Sequence, residues 1–443
     1  MLPDRPINVL VVGGGGREHA ICWKLAQSKK AAQIFCAPGN GGTAGDTRFK
    51  NVSIKVDEFE KLADFCADNE IALVVIGPDN PLADGIVDFL QERGLRVFGP
   101  VKEAARLEWS KAFAKQFMQQ HALPTARYLA ANCQEDALSL ARQNDWARVV
   151  KVDGLALGKG VFVCDSQEEV EEALATVFEK KTFGEAGNTV LLEERLQGEE
   201  MSLLFFCDGA RLVPMPPCQD HKRRFDGDTG PNTGGMGVYS PVALYERCGD
   251  RVRQEIVEPL EKALAAEKTF HYCGVLYAGV MVTPDNQPYL LEFNARFGDP
   301  ETQALMPLLQ SDLLEILWAC TERSLDALRI SWRDDASCCV VAAANTYPTS
   351  SSKGESISIA QMPPDCFVFH AGTKRLSESN SGAASDTNTL VTDGGRVLAV
   401  TAVAPNMEAA RERAYQALKT IAFKGMDYRK DIARRAAKEC LSS

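Results

Sequence analysis

The strongest constraint on the fold is the alternation of strand-like and helix-like segments near the start of the chain. Segments with helical periodicity lie near residues 17–27, 57–69 and 81–93. The short apolar stretches typical of buried strands separate them, at residues 8–12, 33–37, 71–76 and 96–98. Because neighbouring parallel strands need a crossover connection, this alternation predicts an open parallel α/β sheet over roughly the first 105 residues.

The remaining pattern predicts two more units. Helical periodicity runs from residue 102 to 120 and is broken at Pro124; strands are then predicted at 149–152, 161–164 and 189–193 around an acidic helix at 167–179. A further sheet is predicted from 203–206, 276–282 and 289–293, and a small α+β domain from strands at 338–344, 367–371 and 396–402 with a helix at 407–421. We therefore expect a multidomain protein with both α/β and α+β parts, divided at 1–107, 108–330 (with a subdomain at about 125–192) and 331–443. The polar stretch 376–389 is expected to be a mobile surface loop.

Composition excludes several classes of function. The net charge of −11 argues against a nucleic-acid partner, and no apolar stretch has the roughly 18 residues of a membrane span. The 14 cysteines are scattered without a Cys-x-x-Cys pair, and no signal-peptide pattern precedes the first strand. We expect a cytoplasmic protein with reduced cysteines, no membrane or nucleic-acid partner and a monomeric state.

The segment from Leu290 to Glu301 carries the densest chemistry. Its first residues alternate like a strand, which turns Glu292 and Asn294 to one face. A carboxylate and an amide oxygen on one face are suitable ligands for Mg²⁺ or Mn²⁺ held together with nucleotide phosphates. An ordinary amphipathic strand is the alternative, but the following Arg-Phe-Gly-Asp-Pro-Glu run crowds charges of both signs around a glycine and a proline.

This run, Glu-Phe-Asn-x-Arg-Phe-Gly-Asp-Pro-Glu, resembles the second metal-binding strand of the ATP-grasp ligases, and within them the phosphoribosylamine–glycine ligase family. Further motifs of that family follow in its order over nearly the whole chain: Gly-Gly-Gly-Arg-Glu-His-Ala at 14–20, Ala-Pro-Gly-Asn at 37–40, Lys-Val-Asp-Gly-Leu-Ala at 151–156, Asp-His-Lys-Arg at 220–223, Thr-Gly-Pro-Asn-Thr-Gly-Gly-Met-Gly at 229–237 and Phe-His-Ala-Gly-Thr-Lys at 369–374. The resemblance implies an N-terminal substrate-binding domain, a central ATP-grasp unit with a mobile lid, and a C-terminal domain.

The first glycine-rich loop, residues 13–16, lies between a predicted strand and helix, where an anion is favoured. A dinucleotide site needs a third glycine where this chain has Glu18 or His19, and an acid after the second strand where it has Ala37 and Pro38. A purely structural turn and a substrate-facing loop both remain open. The resemblance makes Gly15 and Gly16 candidate contacts of a ribose phosphate.

The second glycine-rich loop, residues 154–160, is not a Walker A motif, because three residues separate Gly154 from Gly158 and Gly160 follows Lys159. The resemblance implies instead a lid loop over the ATP phosphates, with Lys151 and Lys111 reaching those phosphates. The alternative is that each lysine is an ordinary solvated side chain, and this alternative is stronger for Lys111 than for Lys151. The resemblance also implies adenosine contacts beyond the next strand, which are Glu193, Glu194, Leu196 and, for the ribose, Glu200.

The stretch 220–237 is rich in charge and glycine and lacks apolar periodicity. A loop of this length is costly to order unless it meets a ligand, although a disordered linker is the alternative. We expect this stretch to lie inside the central sheet, which makes a disordered linker the weaker alternative. We regard its charged side chains and the amides near its end as substrate contacts, namely Asp220, Lys222, Arg223, Thr233, Gly234 and Gly235.

The resemblance implies a reaction in which ATP phosphorylates the carboxylate of glycine and the amine of 5-phosphoribosylamine attacks the product. Arg296 is the candidate for the glycine carboxylate and Asp299 for its ammonium group, and both assignments are exchangeable with Asp220. With Lys151 they form the expected catalytic set. Two alternatives are another ATP-grasp carboxylate–amine ligase or carboxylase, and a silent nucleotide-binding protein; turnover of ATP separates the second from an enzyme.

Overall fold

A computed structural model describes residues 2–156, 160–376 and 389–439. It begins with a five-stranded sheet in the order β3-β2-β1-β4-β5, in which every neighbouring pair is parallel. These strands are β1 (Ile7–Gly13), β2 (Ala31–Pro38), β3 (Phe49–Asn51), β4 (Ile71–Ile76) and β5 (Val97–Phe98). The accompanying helices are α1 (Gly16–Leu25), α2 (Phe59–Asp68), α3 (Asp79–Asp84) and α4 (Ile86–Gln91). The predicted parallel sheet is confirmed.

Two helices connect this sheet to the rest of the chain, α5 (Lys102–Trp109) and α6 (Lys111–Gln120). The sequence pattern predicted one continuous helical stretch, but Ser110 separates the two because its side chain caps α6 by accepting a hydrogen bond from the Phe113 amide. The single helix predicted over 81–93 is likewise divided, at Gly85, whose φ of +91° favours glycine.

The predicted lid strands are present in a separate four-stranded antiparallel sheet with its own apolar core. Its order is β6-β9-β7-β8. The strands are β6 (Tyr128–Ala131), β7 (Ala147–Val152), β8 (Val161–Val163) and β9 (Val190–Glu194), and the helices are α7 (Gln134–Gln143) and α8 (Gln167–Phe178). Strand β6 and helix α7 were not predicted.

The central sheet is antiparallel, in the order β11-β10-β16-β17. Its strands are β10 (Glu199–Cys207), β11 (Leu212–Pro214), β16 (Gly274–Val282) and β17 (Pro288–Asn294). The helices around it are α9 (Ala243–Val252), α10 (Glu258–Ala266), α11 (Glu301–Leu305) and α12 (Leu313–Thr321). Short helical turns near the central sheet lie at Arg253–Val257 and Leu325–Ala327. Two more lie at Thr43–Gly45 in the N-terminal unit and at Gly184–Asn188 in the lid.

The stretch 220–237 does not lie inside the central sheet, so this expectation was wrong. Its two ends, β12 (Gln219–Asp220) and β15 (Gly237–Ser240), join the C-terminal sheet, because β15 pairs with β18. Between them, β13 (Arg223–Phe225) and β14 (Thr229–Asn232) form a hairpin. The strand order of this C-terminal sheet is β12-β15-β18-β24-β21, and β26 also pairs with β18. Its other strands are β18 (Ala336–Ala344), β21 (Cys366–His370), β24 (Arg396–Ala404) and β26 (Met426–Asp427).

The C-terminal domain has the predicted α+β character. Smaller ladders complete it, from β19 (Ser352–Ser356), β20 (Ser358–Ile359), β22 (Thr373–Arg375), β23 (Leu390–Gly394) and β25 (Ile421–Ala422), with helices α13 (Met407–Leu418) and α14 (Arg434–Glu439). The surface loop predicted at 376–389 falls, at 377–388, outside the described residues. Among the described residues no helix has the length and apolarity that a membrane crossing requires.

Candidate active site

Two buried lysines share one carboxylate where the lid sheet meets the central sheet. Lys151, on β7, and Lys115, on α6, lie 3.0 and 2.9 Å from Oε2 of Glu193 on β9. Burial lowers the pKa of Lys115 to about 8, although Glu193 opposes this shift. Oε1 of Glu193 is buried and accepts no hydrogen bond from the described residues. The ion cluster therefore fixes Lys151 and leaves an acceptor atom open.

The lid loop begins directly beside a third lysine. Asp153 accepts a hydrogen bond from the Ala112 amide at 2.6 Å, and the Lys111 ammonium donates to the Gly154 carbonyl at 3.4 Å. Burial lowers the pKa of Lys111. The start of the lid loop is thus tied to the first turn of α6. The predicted residues Gly158 and Lys159 lie outside the described residues, whereas Gly160 marks the return of the chain toward β8.

The two candidate metal ligands, Glu292 and Asn294, lie at the end of β17. Although burial works in the opposite direction, the surrounding lysines, Lys222 foremost, lower the pKa of Glu292 to about 2. Its carboxylate is 3.6 Å from the Lys222 ammonium, which also pairs with Glu200. The residue opposite Glu292 on β16 is Gly279, so the neighbouring strand supplies no second acid there. Within the described ranges, no three His, Cys, Asp or Glu residues cluster as a metal site.

Arg296 is held by a carboxylate that was not predicted. Its Nη2 lies 2.9 Å from Oε1 of Glu108, on α5, and its Nη1 donates to the Phe297 carbonyl at 3.4 Å. Its Nε is buried without a hydrogen-bond partner among the described residues. Both terminal nitrogens of the guanidinium therefore already have a partner, which fixes the side chain in place.

Asp299 lies between the N-terminal and C-terminal domains. It accepts a hydrogen bond from Gln303 at 2.7 Å, and Arg396 lies 3.5 Å from its carboxylate. Burial raises the pKa of Asp299, but the positive charges of Arg396 and Arg17 outweigh this effect and keep the pKa below its usual range. A side chain added at Gly15 would come within 3.4 Å of Asp299 Oδ2, so the first glycine loop and Asp299 face each other.

The anion position at the start of α1 is already filled by a side chain. Glu18 accepts a hydrogen bond from the Gly15 amide at 2.6 Å and pairs with Arg17 at the same distance. Gly16 packs so tightly that an added side chain would lie 2.5 Å from the Gln303 amide. A phosphate that used the Gly15 amide would have to displace Glu18.

The amides near the end of the 220–237 stretch also have partners. Those of Thr233, Gly234 and Gly235 donate to the Lys222 carbonyl, the Tyr347 hydroxyl and the Thr233 hydroxyl, at 2.8, 2.9 and 3.0 Å. The Arg223 side chain donates to the Gly230 carbonyl at 2.7 Å. An anion-binding nest here would require these bonds to open.

Asp220, at the start of the same stretch, has a different environment. Burial and the neighbouring Glu301 raise the pKa of Asp220 well above its usual range.

Of the predicted adenosine contacts, Glu194 pairs with the exposed Arg127 at 2.8 Å, and Leu196 follows β9 in a half-buried position.

Models of three phosphoribosylglycinamide synthetase domains match consecutive parts of the chain: the N domain at residues 7–108, the ATP-grasp (A) domain at 109–302 and the C domain at 337–435. The chain belongs to the phosphoribosylglycinamide synthetase family. The family expected from the sequence motifs is confirmed.

Relatives of this family extend along the whole chain. A phosphoribosylamine–glycine ligase of Vibrio vulnificus is 45% identical over 433 residues, which are 97% of this chain and 98% of the relative. The crystal structure of a phosphoribosylamine–glycine ligase from Thermotoga maritima has a TM-score of 0.79 at 34% identity, covering 96% of this chain and 100% of that one. A bifunctional purine biosynthetic protein of Pichia angusta is 45% identical over 98% of this chain, but the chain spans only 54% of its length.

Four residues of this candidate site were not predicted from the sequence: Arg17, Glu108, Lys115 and Arg396. Lys115 alone had a usable signal, because it follows Lys111 by one helical turn and so shares its face of α6. The others come from separate segments, and only the folded chain brings them to Asp299 and Arg296.

Proposed function

We propose that this protein joins glycine to 5-phosphoribosylamine at the expense of ATP and yields glycinamide ribonucleotide, ADP and phosphate. The observation that carries the proposal is the convergence of Lys111, Lys151 and Lys222 on Glu292, next to the Arg296 guanidinium. A cationic cluster beside a carboxylate of low pKa suits a nucleotide phosphate and a metal ion, and the adjacent guanidinium suits a carboxylate substrate.

The chemistry requires an activated carboxylate, because carboxylate itself is a poor electrophile. The γ-phosphoryl group leaves the β-phosphate oxygen of ATP and bonds to an oxygen of the glycine carboxylate, giving glycyl phosphate and ADP. The amine of phosphoribosylamine then bonds to the carbonyl carbon, the bond to the phosphate oxygen breaks, and the nitrogen loses a proton. The protein contributes mainly positioning and neutralisation of charge.

For the nucleotide, Lys151 and Lys111 would neutralise the phosphates while the lid amides, from Gly154 to Gly160, close over them. The position of Lys151 against Glu193 supports this role, since the ion cluster holds its ammonium at the mouth of the lid. The backbone near Glu194 and Leu196 would contact the adenine, and Glu200 the ribose once its pairing with Lys222 is exchanged.

The residues present fit a divalent cation. Glu292 is ionised over the whole physiological range because its pKa is about 2, and the Asn294 side chain supplies a second hard oxygen. Mg²⁺ or Mn²⁺ held there would neutralise charge on the phosphates when bound. With Gly279 on the neighbouring strand, the remaining ligands would be phosphate oxygens and water.

Glycine would bind with its carboxylate on Arg296 and its ammonium group toward Asp299 or Asp220. The place of Arg296 two residues beyond Asn294 supports the first assignment. For the second, the lowered pKa of Asp299 keeps that carboxylate charged and favours it, whereas the raised pKa of Asp220 disfavours an ammonium contact there. Phosphoribosylamine would approach from the N-terminal domain, where Gly15 faces Asp299 and Gly16 packs against Gln303. Further contacts of this substrate are proposed from the 220–237 stretch, at Lys222, Arg223, Thr233, Gly234 and Gly235.

The proposal includes three expectations about the molecule as a whole. We retain the division at 1–107, 108–330 and 331–443, with a lid at about 125–192. A monomeric state stays a prediction. A cytoplasmic location also stays a prediction; twelve buried free cysteines among the described residues support a reducing compartment.

One assay tests the proposed reaction: release of ADP measured with ATP and Mg²⁺ alone, with glycine added, and with glycine and phosphoribosylamine together. We expect sustained release only in the third mixture. Release that depends on bicarbonate or another carboxylate, and not on glycine, would favour a different ATP-grasp ligase. No release in any mixture would contradict an enzymatic role.

A further inference from the structure

Glu108 contacts the end of the proposed metal-binding strand at three points. Its Oε1 accepts a hydrogen bond from Asn294 Nδ2 at 3.1 Å and lies 2.9 Å from Arg296 Nη2. Its Oε2 accepts a hydrogen bond from the Ala295 amide at 2.7 Å. The residue is 8% exposed, so water does not compete strongly for these bonds. Three consecutive residues, 294 to 296, are thereby attached to one carboxylate of α5.

The contact with Asn294 determines which end of its amide faces the metal site. An asparagine side chain presents an oxygen on one side and an NH₂ group on the other, and only the oxygen binds a cation. Both oxygens of Glu108 accept bonds from N–H donors, so the carboxylate is an acceptor on each side. Only the NH₂ end of Asn294 can therefore face Glu108, which turns Oδ1 away from it.

We infer that Glu108 is a positioning residue, which orients Asn294 as a metal ligand and fixes the guanidinium of Arg296 in place. The inference rests on the metal site of the proposed function and adds the residue that orients it. Partners of this kind behind metal ligands typically contribute about 10- to 100-fold to metal affinity or activity.

The test measures binding of Mn²⁺ together with a non-hydrolysable ATP analogue, followed by the electron paramagnetic resonance signal of free Mn²⁺. In Glu108→Gln, one oxygen is replaced by an NH₂ group that opposes the donors around it. We expect Mn²⁺ binding to weaken about 10- to 100-fold. Glu103→Gln is the matched control, because Glu103 lies on the same helix but its side chain is 44% exposed and pairs with Arg106 at the surface. This control should bind Mn²⁺ like the wild type.

Exchanging the acid at position 108 and the amide at position 294 distinguishes a loss of side-chain orientation from damage to the fold. In Asn294→Asp alone, two carboxylates face each other, so we expect weakened binding. In the double variant Glu108→Gln/Asn294→Asp, the new amide can donate to the new carboxylate, whose other oxygen faces the metal. We expect the double variant to recover most of the Mn²⁺ affinity lost in Glu108→Gln.

Two results would overturn the inference: wild-type Mn²⁺ affinity in Glu108→Gln, or a double variant that binds no better than the single one although its melting temperature shows a folded protein. Glu292→Ala distinguishes this failure from failure of the proposed function. If Glu292→Ala weakens Mn²⁺ binding while Glu108→Gln does not, the metal site stands and the role of Glu108 is wrong. If Glu292→Ala also binds Mn²⁺ like the wild type, the metal site itself is wrong and the role of Glu108 falls with it.

Discussion

Replacement of Glu193 by glutamine removes the negative charge that two buried lysines share. Oε2 of Glu193 lies 2.9 Å from Lys115 and 3.0 Å from Lys151, and the side chains of Glu193 and Lys115 are each 2% exposed. The variant keeps the shape of the side chain but leaves the two ammonium groups facing a neutral amide. We expect a substantial loss of stability, because an uncompensated charge is costly where water cannot reach it.

The size of the loss follows from two contributions. Burial already lowers the pKa of Lys115 to about 8, so releasing its proton at pH 7 costs about 1.4 kcal/mol. The lost charge-assisted bond to Lys151 adds about 1.5 to 3 kcal/mol. The free energy of unfolding should therefore fall by about 3 to 4 kcal/mol. For a unit the size of the ATP-grasp domain, at roughly 2 to 4 °C per kcal/mol, the melting temperature should fall by about 6 to 16 °C.

The loss should also depend on pH in a defined direction. The folded-state pKa of Lys115 lies below its unfolded value of 10.5, so the unfolded chain binds more protons between about pH 8 and that value. Stability from this group therefore rises with pH across that window. At about pH 9.5 Lys115 is neutral in both proteins, and the deficit of Glu193→Gln should shrink by about 1.4 kcal/mol.

Thermal melts of both proteins at pH 7 and 9.5 measure these quantities. The matched control is Glu194→Gln, the next residue, whose partner Arg127 has a side chain that is 59% exposed. An exposed pair contributes at most about 1 kcal/mol, so the control should melt within a few degrees of the wild type. Equal melting temperatures of the two variants, or a deficit that grows with pH, would refute the reasoning.

Three further predictions concern the site. Glu292→Ala should abolish Mg²⁺-supported ADP release while circular dichroism shows a folded protein; a folded variant with near-normal release would contradict the metal assignment. Arg296→Leu should raise the glycine KM or lower kcat/KM for glycine by about 10- to 150-fold with ATP binding intact; lost ATP affinity with unchanged glycine dependence would assign Arg296 to the nucleotide. Hydrogen exchange in peptides that span residues 154–160 should slow when an ATP analogue and Mg²⁺ are added; unchanged exchange at saturation would count against a lid.

Much of the fold was predictable because its elements are long or strongly periodic. The N-terminal strands, the acidic helix α8 and the long strands β18 and β24 all have clear apolar patterns. Short elements such as β3 and the β13–β14 hairpin carry too few residues for a pattern to emerge. The pairing of β15 with β18 was not predictable, because the two strands are separated by about a hundred residues in the sequence and their contact is set by tertiary packing.

The candidate site divides in a similar way. Residues such as Glu292 and Arg296 lie in a short run with a recognisable motif, so the sequence identifies them. The residues that contact them lie outside this run, and no motif identifies them. Glu108 comes from a helix far earlier in the chain and reads there as an ordinary helical acid; its burial against residues 294–296 is visible only in the folded protein.

The pairing of β15 with β18 has a consequence for dissecting the protein. All four residues of β15 are buried, with β12 on one side and β18 on the other. A fragment that ended before Ala336 would leave β15 with an uncovered edge and its backbone groups unpaired, which is a typical start of aggregation. The segment between β12 and β15 would also lose the support that β15 receives from its pairing with β18. Removal of the last hundred or so residues would therefore disturb the 220–237 stretch, where we propose substrate contacts, and not merely shorten the periphery of the protein.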